Sequence, residues 1–496
     1  MSIAARFFIY SMVASLWSAS SVGASLIHVP ADQATIQGGI DAASEGDTVV
    51  VATGTYSEYA IDFNGKAIRV TGSAPNDQEI VDATVVDGEG RGTVFYFHQG
   101  ESRQSVLSGL TIQGGRGAGW PDNRAGGVTC RDNTSPTIEH CLIRTNSAGG
   151  GGGIYAKEST PRVVDCRIYD NDSEFRGGGI YCHMASMLIE DCIIKGNASA
   201  FGGGINCNDC SPTIRNCTVT ENYVTYAGGG FLVGVSDPII SNCLIIENNG
   251  GQSGGGFSFV QSSPVIQNCT IADNVVSAGG AAAYFSDASP TFVNCILWNP
   301  HASEFEVDSG SPTAKFCDIM GGYSGEGNMD TDPLFVDAAN DDYHLGEDSP
   351  CVDSGTADGS PDTDFEGDAR PQGDGIDIGA DEVNVEEPCD LEVELSNYPS
   401  SVEPNGTLSF TVTVYNSCEQ PLTLERAVMT ISGPASKELL LYDGSEPITV
   451  VKRKRRGTSL LVPPTTPPGT YTIEVSIHRD GEVIDADSFE VDVAGG

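Results

Sequence analysis

Glu158, Asp172, Glu174, Arg176 and His183 fall within one short stretch. Two carboxylates and a neighbouring base are enough for general acid–base cleavage of a glycosidic bond. Solvation of turns accounts for the same five residues without chemistry, and it is the plainer account. A second set is aromatic: Tyr155 and Tyr181, with Phe175, Phe201, Tyr226 and Trp120. Flat rings suit the apolar faces of sugars, so this set reads as a binding platform or, equally, as structural stacking. The acidic loop of Asp362, Asp364, Glu366 and Asp368 has the clustered carboxylates that attract calcium. It fails the EF-hand frame, because position five is Glu366 and position twelve is Gly373. A solvated acidic surface is the alternative.

Cysteine offers two further readings. Cys182, His183, Cys207 and Cys210 include a C-x-x-C and have the residue types of a zinc site. Strand alternation points Cys182 and Cys207 inward and His183 outward, which favours core thiols or a Cys207–Cys210 disulfide over a metal. Eight other cysteines each close a variant of one phrase: SPTIEHC at Cys141, then Cys166, Cys192, Cys217, Cys243, Cys269, Cys295 and Cys317. Evenly spaced small apolar side chains of this kind fill a narrow corner.

The elements that carry these residues repeat. The cysteines recur every 25 or 26 residues, with a last interval of 22. Glycine clusters at 125, 151, 177, 202, 228, 254 and 279 keep the same period, as do Asn146, Asn171, Asn197, Asn222, Asn248 and Asn274. The leucine-rich frame is absent, and propeller blades need ~40 residues. Each unit holds three short strand candidates separated by Gly, Asn, Asp and Pro. Wound into a coil, they make a triangular tube whose turns stack ~4.8 Å apart. Ile154, Ile180, Ile205, Phe231 and Phe257 then point inward, as do Ala156, Cys182, Cys207, Val233 and Phe259. The outward row on that strand reads Thr129, Tyr155, Tyr181, Asn206, Leu232, Ser258 and Ala283. It carries no charge. The asparagines form an amide ladder.

This pattern resembles the right-handed parallel β-helix, or pectin-lyase-like, superfamily over residues 25–325. The opening IHVPADQATIQGGIDAASEGDTVVVATGTY also resembles that family's start. The resemblance implies an amphipathic cap helix with Ile36, Ile40 and Ala43 facing the core. Enzymes of the superfamily that cut acidic glycans align carboxylates on consecutive coils beside an Arg, Lys or His, and no such constellation is evident. The fold hosts unrelated activities.

Residues 326–390 carry 21 Asp or Glu against Arg370 alone. The motifs DPLFVD, DDYHLGEDSPCVDSGT and DFEGDARPQGDGIDIGADE resemble a segment that closes bacterial β-helix proteins ahead of surface-anchoring modules, which implies a cap over 326–388. Alternating strands from 389 to 496 read as an immunoglobulin-like β-sandwich with a Cys389–Cys418 disulfide. The basic run from Lys452 to Arg456 reads as a charged edge strand.

Arg6, the apolar run to Trp17 and Val22-Gly23-Ala24 form a signal-peptide pattern with cleavage near Ala24, so the chain is expected outside the cytoplasm or on the cell surface. A net charge of −43 excludes nucleic acid as a partner and disfavours anionic surfaces. Membrane insertion is not expected, and a monomer is the default. The whole reads as an all-β exported binding protein for a polysaccharide or surface glycan. It requires no cofactor, though calcium is allowed. The alternatives are a polysaccharide lyase or glycoside hydrolase, and a structural matrix component.

Overall fold

The computed structural model describes residues 24–117, 125–383, 391–416, 422–424, 426–434, 436–442, 448–450, 453–462, 465–479 and 482–494. Most of the signal-peptide pattern, Trp120, Cys389, Cys418 and Lys452 lie outside the described residues. The chain divides into two compact units, Met1–Asn384 and Val385–Gly496.

In the first unit three parallel sheets of twelve, ten and eleven strands run the length of the coil. They are called sheets I, II and III here, and one coil, starting from its SPTI strand, visits I, then III, then II. In sheet II, Ile154 faces Ile180, which faces Ile205, then Phe231, then Phe257. All five are fully buried. Corners are made by single residues in the left-handed region. The residue before each of the eight ladder cysteines is one: Asp165, Asp191, Asn216, Asn242, Asn268 and Asn294 in the six middle coils, with His140 and Phe316 at the two ends. Asp and Asn tolerate that conformation best among non-glycine residues. The glycine triplets serve a second corner. Gly177 has φ +62°, and a Cβ on Gly178 would meet backbone oxygens of the next coil at 2.5 and 2.6 Å. Only glycine satisfies both demands.

The asparagine column is a continuous buried ladder. Asn222 Nδ2 donates to Asn248 Oδ1 at 3.0 Å and to the Ile194 carbonyl at 2.9 Å. Asn222 Oδ1 accepts from Asn197 Nδ2 at 3.0 Å and from the Asn197 backbone at 2.9 Å. The ladder continues to Asn299 and ends on Glu304, which accepts from Asn299 through both carboxylate oxygens at 2.6 Å. The cysteine column runs at the other end of the sheet III strands, with every sulfur free and buried. Cys166 contacts both Cys141 and Cys192, and burial raises its thiol well above the ordinary range.

The first helix, Ile36–Ala42, closes one end. Thr35 caps it by accepting from the Gly38 amide at 3.0 Å, and Ile36, Ile40 and Ala43 are buried. Beyond the last coil, residues 320–330 turn across the open end, where Tyr323 packs edge-on against Phe305. The acidic segment does more than cap. It returns along the outer face of sheet III as a strap. Tyr343 and Ala380 cover Leu244, Ile246 and Ala272, while Leu345, Ile378 and Val383 cover Ile296. Thr363 and Thr356 accept from the corner residues Asn242 and Asn294. Arg370 and Glu382 form an ion pair of 2.8 Å inside the strap, with both side chains fully buried.

The second unit has sheets of three and five strands, antiparallel except where Ser401–Val402 pairs parallel with Glu482–Val493, around a common core that includes Phe410, Met429, Ile473, Val475 and Phe489. This is a β-sandwich. Arg453–Leu461 is an edge strand of the three-stranded sheet. No helix among the described residues is long and apolar enough to cross a membrane.

Two outcomes follow. Asn222→Ala removes four ladder hydrogen bonds and strands buried partners, so denaturant unfolding should show a loss of at least about 2 kcal/mol. Thr225→Ala on the exposed surface should stay within about 0.5 kcal/mol. Burial pushes the Glu304 carboxyl up to about 7 from an ordinary 4.5. A raised value favours the protonated folded state, so its share of stability is complete below about 4.5 and is lost as pH rises through about 7. Asp377, also pushed up to about 7 by burial, adds the same sign. Glu304→Gln should flatten the pH–stability slope across that window. An unchanged slope would refute the assignment.

Candidate functional site

The acid–base and aromatic candidates, Trp120 aside, lie along the outer side of sheet II and on a fourth sheet that leans over it, whereas the acidic-loop carboxylates lie in the strap. The fourth sheet consists of Ser147–Gly150, Asp172–Arg176, Ala198–Phe201 and Tyr223–Ala227. It was not among the three strands read per repeat. Its strands lie between the ladder asparagine and the glycine triplet, and YVTYA is their one strongly β-like sequence.

Tyr155 and Tyr181 are in register on sheet II, their ring centroids 5.3 Å apart. They point away from the tube, as expected, but they are only 2% and 5% exposed. The glycine-rich corner folds over them: a Cβ on Gly150 would meet the Tyr181 ring at 3.1 Å. With Ala125 they form a small apolar cluster of their own. Their faces are therefore spent on packing and are closed to a ligand. Ala283 also departs from the outward row. It pairs with Phe257 and is buried, and Tyr284 takes the outward place.

The exposed aromatic surface lies on the fourth sheet. Phe175, Phe201 and Tyr226 are 49%, 37% and 45% exposed, and Tyr223 beside them is 51% exposed. The Phe201 and Tyr226 rings stack with centroids 5.1 Å apart and planes 24° apart. A bulge interrupts each of these strand pairings next to the rings.

A polar floor adjoins this ridge. Arg131, Lys157, His183 and Asn208 follow one another in register along the end of sheet II. Arg176 reaches across from the fourth sheet and donates to Asn208 Oδ1 at 3.0 Å. His183 Nδ1 lies 3.2 Å from Asn208 Nδ2. Arg176 also hydrogen-bonds the Tyr181 hydroxyl, yet burial still raises that hydroxyl above its ordinary range. Asn208, which joins Arg176 to His183, was missed in the sequence because a single amide at a strand end carries no distinctive signal. Of the other acid–base candidates, Glu158 pairs with Lys157 at 3.4 Å from a left-handed corner. Asp172 and Glu174 are exposed on the fourth sheet.

The metal candidates separate in the same way. Cys182, Cys207 and Cys210 are free and buried, and Cys210 Sγ lies 3.4 Å from the Cys182 carbonyl. Hydrogen bonding to Cys210, with burial, raises the Cys182 and Cys207 thiols. His183 is occupied with Asn208. In the acidic loop Asp364 is 1% exposed, and its Oδ1 accepts from the backbone amides of Glu366, Gly367 and Asp368 at 2.9 Å each. Its carboxylate is thus the hub of a turn. Glu366 turns to His344 at 3.2 Å. Among the described residues, the group with ligand atoms close enough for one cation is Glu221, Glu247 and Asp341. Glu221, Glu247 and Asp273 occupy one left-handed corner on consecutive coils, and the strap brings Asp341 to them. Burial, then Asp341, Glu221 and Asp273, raise the Glu247 carboxyl.

The fold and this ridge define an all-β parallel solenoid with a β-sandwich following it. The chain belongs to the right handed beta helix region family, whose profile matches residues 66–234 and 201–319. No curated protein matches the chain. Among solved structures, likeness extends to the sporulation control protein Spo0M from Bacillus subtilis, 10% identical with a TM-score of 0.18, covering 21% of this chain and 50% of that one. A beta-glucosidase from Listeria innocua is 17% identical with a TM-score of 0.18, covering 22% of this chain and 16% of that one. The CARDB domain of a Pyrococcus furiosus protein, in complex with di-metal ions, is 19% identical with a TM-score of 0.17, covering 22% of this chain and 90% of that one. The chain thus spans half of the first and about a sixth of the second. Likenesses at these scores carry no argument about fold or activity.

The carboxylate corner yields its own expected outcome. Asp341→Asn keeps a residue suited to φ +65° and removes one of the crowded charges. Unfolding in low salt should show a gain of about 0.5 kcal/mol that fades as salt is added. A loss would mean that the charge is stabilising where it stands.

Proposed function

We propose that this is an exported, non-catalytic protein that binds a glycan along the ridge of the fourth sheet. The observation that carries the reading is the exposed run of Phe175, Phe201 and Tyr226 on consecutive strands of that sheet, with the Phe201 and Tyr226 rings already stacked. Exposed aromatic faces on consecutive coils are costly in water unless something covers them. A rigid strand presents them at a fixed repeat, which suits a chain of sugar rings. Arg176, Asn208 and His183 supply hydrogen-bond donors and acceptors at the foot of the ridge. The arrangement favours binding over bond cleavage, because the carboxylates divide. Glu158 is engaged by Lys157, and Asp172 and Glu174 belong to the other sheet. Export rests on the N-terminal pattern described above.

The test is a glycan array with the full chain, with and without calcium, followed by product analysis on every glycan retained. The expected result is retention of at least one neutral or sparsely charged glycan without cleavage. The double variant Phe201→Ala, Tyr226→Ala should weaken retention by about tenfold or more, since base-like or sugar-like stacking on aromatic rings is worth about 1–3 kcal/mol per ring. Cleaved products, or retention that ignores the double variant, would contradict the reading.

A further inference from the structure

The corner that leads from sheet II to the next SPTI strand is filled by one small side chain per coil. Ser159, Ala185, Cys210, Ser236, Ser262 and Ala288 hold this place, and all are buried. Two of the serines reach back to the coil before. Ser159 Oγ donates to the Cys130 carbonyl at 3.1 Å, and Ser262 Oγ donates to the Val233 carbonyl at 3.4 Å. Cys210 copies this contact, with its Sγ 3.4 Å from the Cys182 carbonyl oxygen. It does so in a coil where the adjoining inward column is cysteine twice running. Cys207 belongs to the same coil, and Cys182 is its register partner in the coil before. Three thiols therefore converge on one corner.

The three sulfurs are not equivalent. Cys182 Sγ leans toward the same corner, 3.8 Å from the Ala185 carbonyl oxygen. Cys182 and Cys207 both hydrogen-bond Cys210 through their thiols. Those bonds, from Cys182 first and Cys207 next, lower the Cys210 thiol and so favour its thiolate. Cys182 and Cys207 have no exposed surface, whereas Cys210 keeps 5% and stands between exposed Asp209 and Ser211. A small reagent reaches Cys210 through a local opening of the corner that leaves the strands paired. The thiolate is the attacking species in disulfide exchange. The eight ladder cysteines are at most 1% exposed and lie between two strands of their own coil. Cys210 has two possible partners. A bond to Cys207 stays inside one turn, whereas a bond to Cys182 spans 28 residues and joins two coils. Longer closed loops restrict the unfolded chain more, and the lean of both sulfurs selects Cys182.

We propose that Cys210 and Cys182 form a disulfide by exchange with a small-molecule disulfide such as oxidised glutathione, which staples one coil to the next. The Cys210 thiolate attacks one sulfur of the reagent, whose S–S bond breaks and releases one thiolate. Cys182 then attacks the Cys210 sulfur of this mixed disulfide, forms the protein S–S bond and expels the second thiolate. The two protons lost from Cys210 and Cys182 end on the two released thiols, and the two electrons go to the reagent. The bond ties together the coils that carry His183 and Asn208. It stands without the ridge reading.

The experiment exposes the folded full chain to oxidised glutathione, quenches with acid, alkylates the remaining thiols and maps tryptic peptides by mass. Cys182 falls in the peptide Gly177–Lys195, and Cys207 and Cys210 fall in Gly196–Arg215. The two peptides should appear joined, in the chain as purified or after exposure, and reduction should separate them. Their joining should run at least about tenfold faster than the loss of ladder thiols. Cys182→Ala and Cys210→Ser should each abolish it, and Cys207→Val should not. Each substitution copies a neighbouring coil, Ala156, Ser236 and Val233 respectively, so the variants should keep cooperative unfolding. Peptides that stay separate, a bond confined to Gly196–Arg215, a glutathione adduct that persists on Cys210, or joining that survives Cys210→Ser would each overturn the proposal.

Discussion

From Asn146 to Asn299, each coil must satisfy the buried amide of the coil before it. Asn146 to Asn299 form one uninterrupted file in which each side chain both donates to the next coil and accepts from the previous one. An unpaired amide in that position would carry the full cost of its desolvation. The file therefore holds the coils in register more tightly than the apolar core beside it, which tolerates Ile, Val, Cys, Phe and Ala in equivalent places. Once register is locked, the outward positions are free to vary. The two surface features of the solenoid, ridge and strap, both arise there.

Much of this was legible because a solenoid writes each structural demand many times. The cysteine, asparagine and glycine columns, the inward isoleucines and the cap helix all stand where their spacing put them. The failures have physical causes. Ala283 was placed outward by counting from Gly279, but the corner in that coil begins at Gly280, and a slip of one residue inverts a strand. Tyr155 and Tyr181 were placed on the surface because alternation tells inward from outward and is silent about what lies over the outward side. The fourth sheet was missed because DSEFR and ASAF carry little strand signal without their neighbours.

The strap could have been seen. In sheet III the outward residues change from Arg167, Tyr169 and Lys195 to Leu244, Ile246, Ala272, Ile296 and Trp298. A strand apolar on both sides is a strand buried on both sides. The acidic character of the strap then has a structural use. Asp364, Asp377 and Glu382 accept backbone amides and the Arg370 guanidinium, which gives an irregular segment the partners that a strand would take from its sheet.

The stacking itself is most directly measured by a distance along the tube. Arg162 and Thr313 are exposed, and six register steps of sheet I separate them. Nitroxide labels on cysteines introduced at these two places in the Cys210→Ser chain would avoid the buried native thiols. At a spacing of ~4.8 Å per coil, electron-spin distance measurement should give a narrow distribution centred near ~29 Å. A broad distribution, or a centre beyond ~40 Å, would mean that the coils do not lie one upon another.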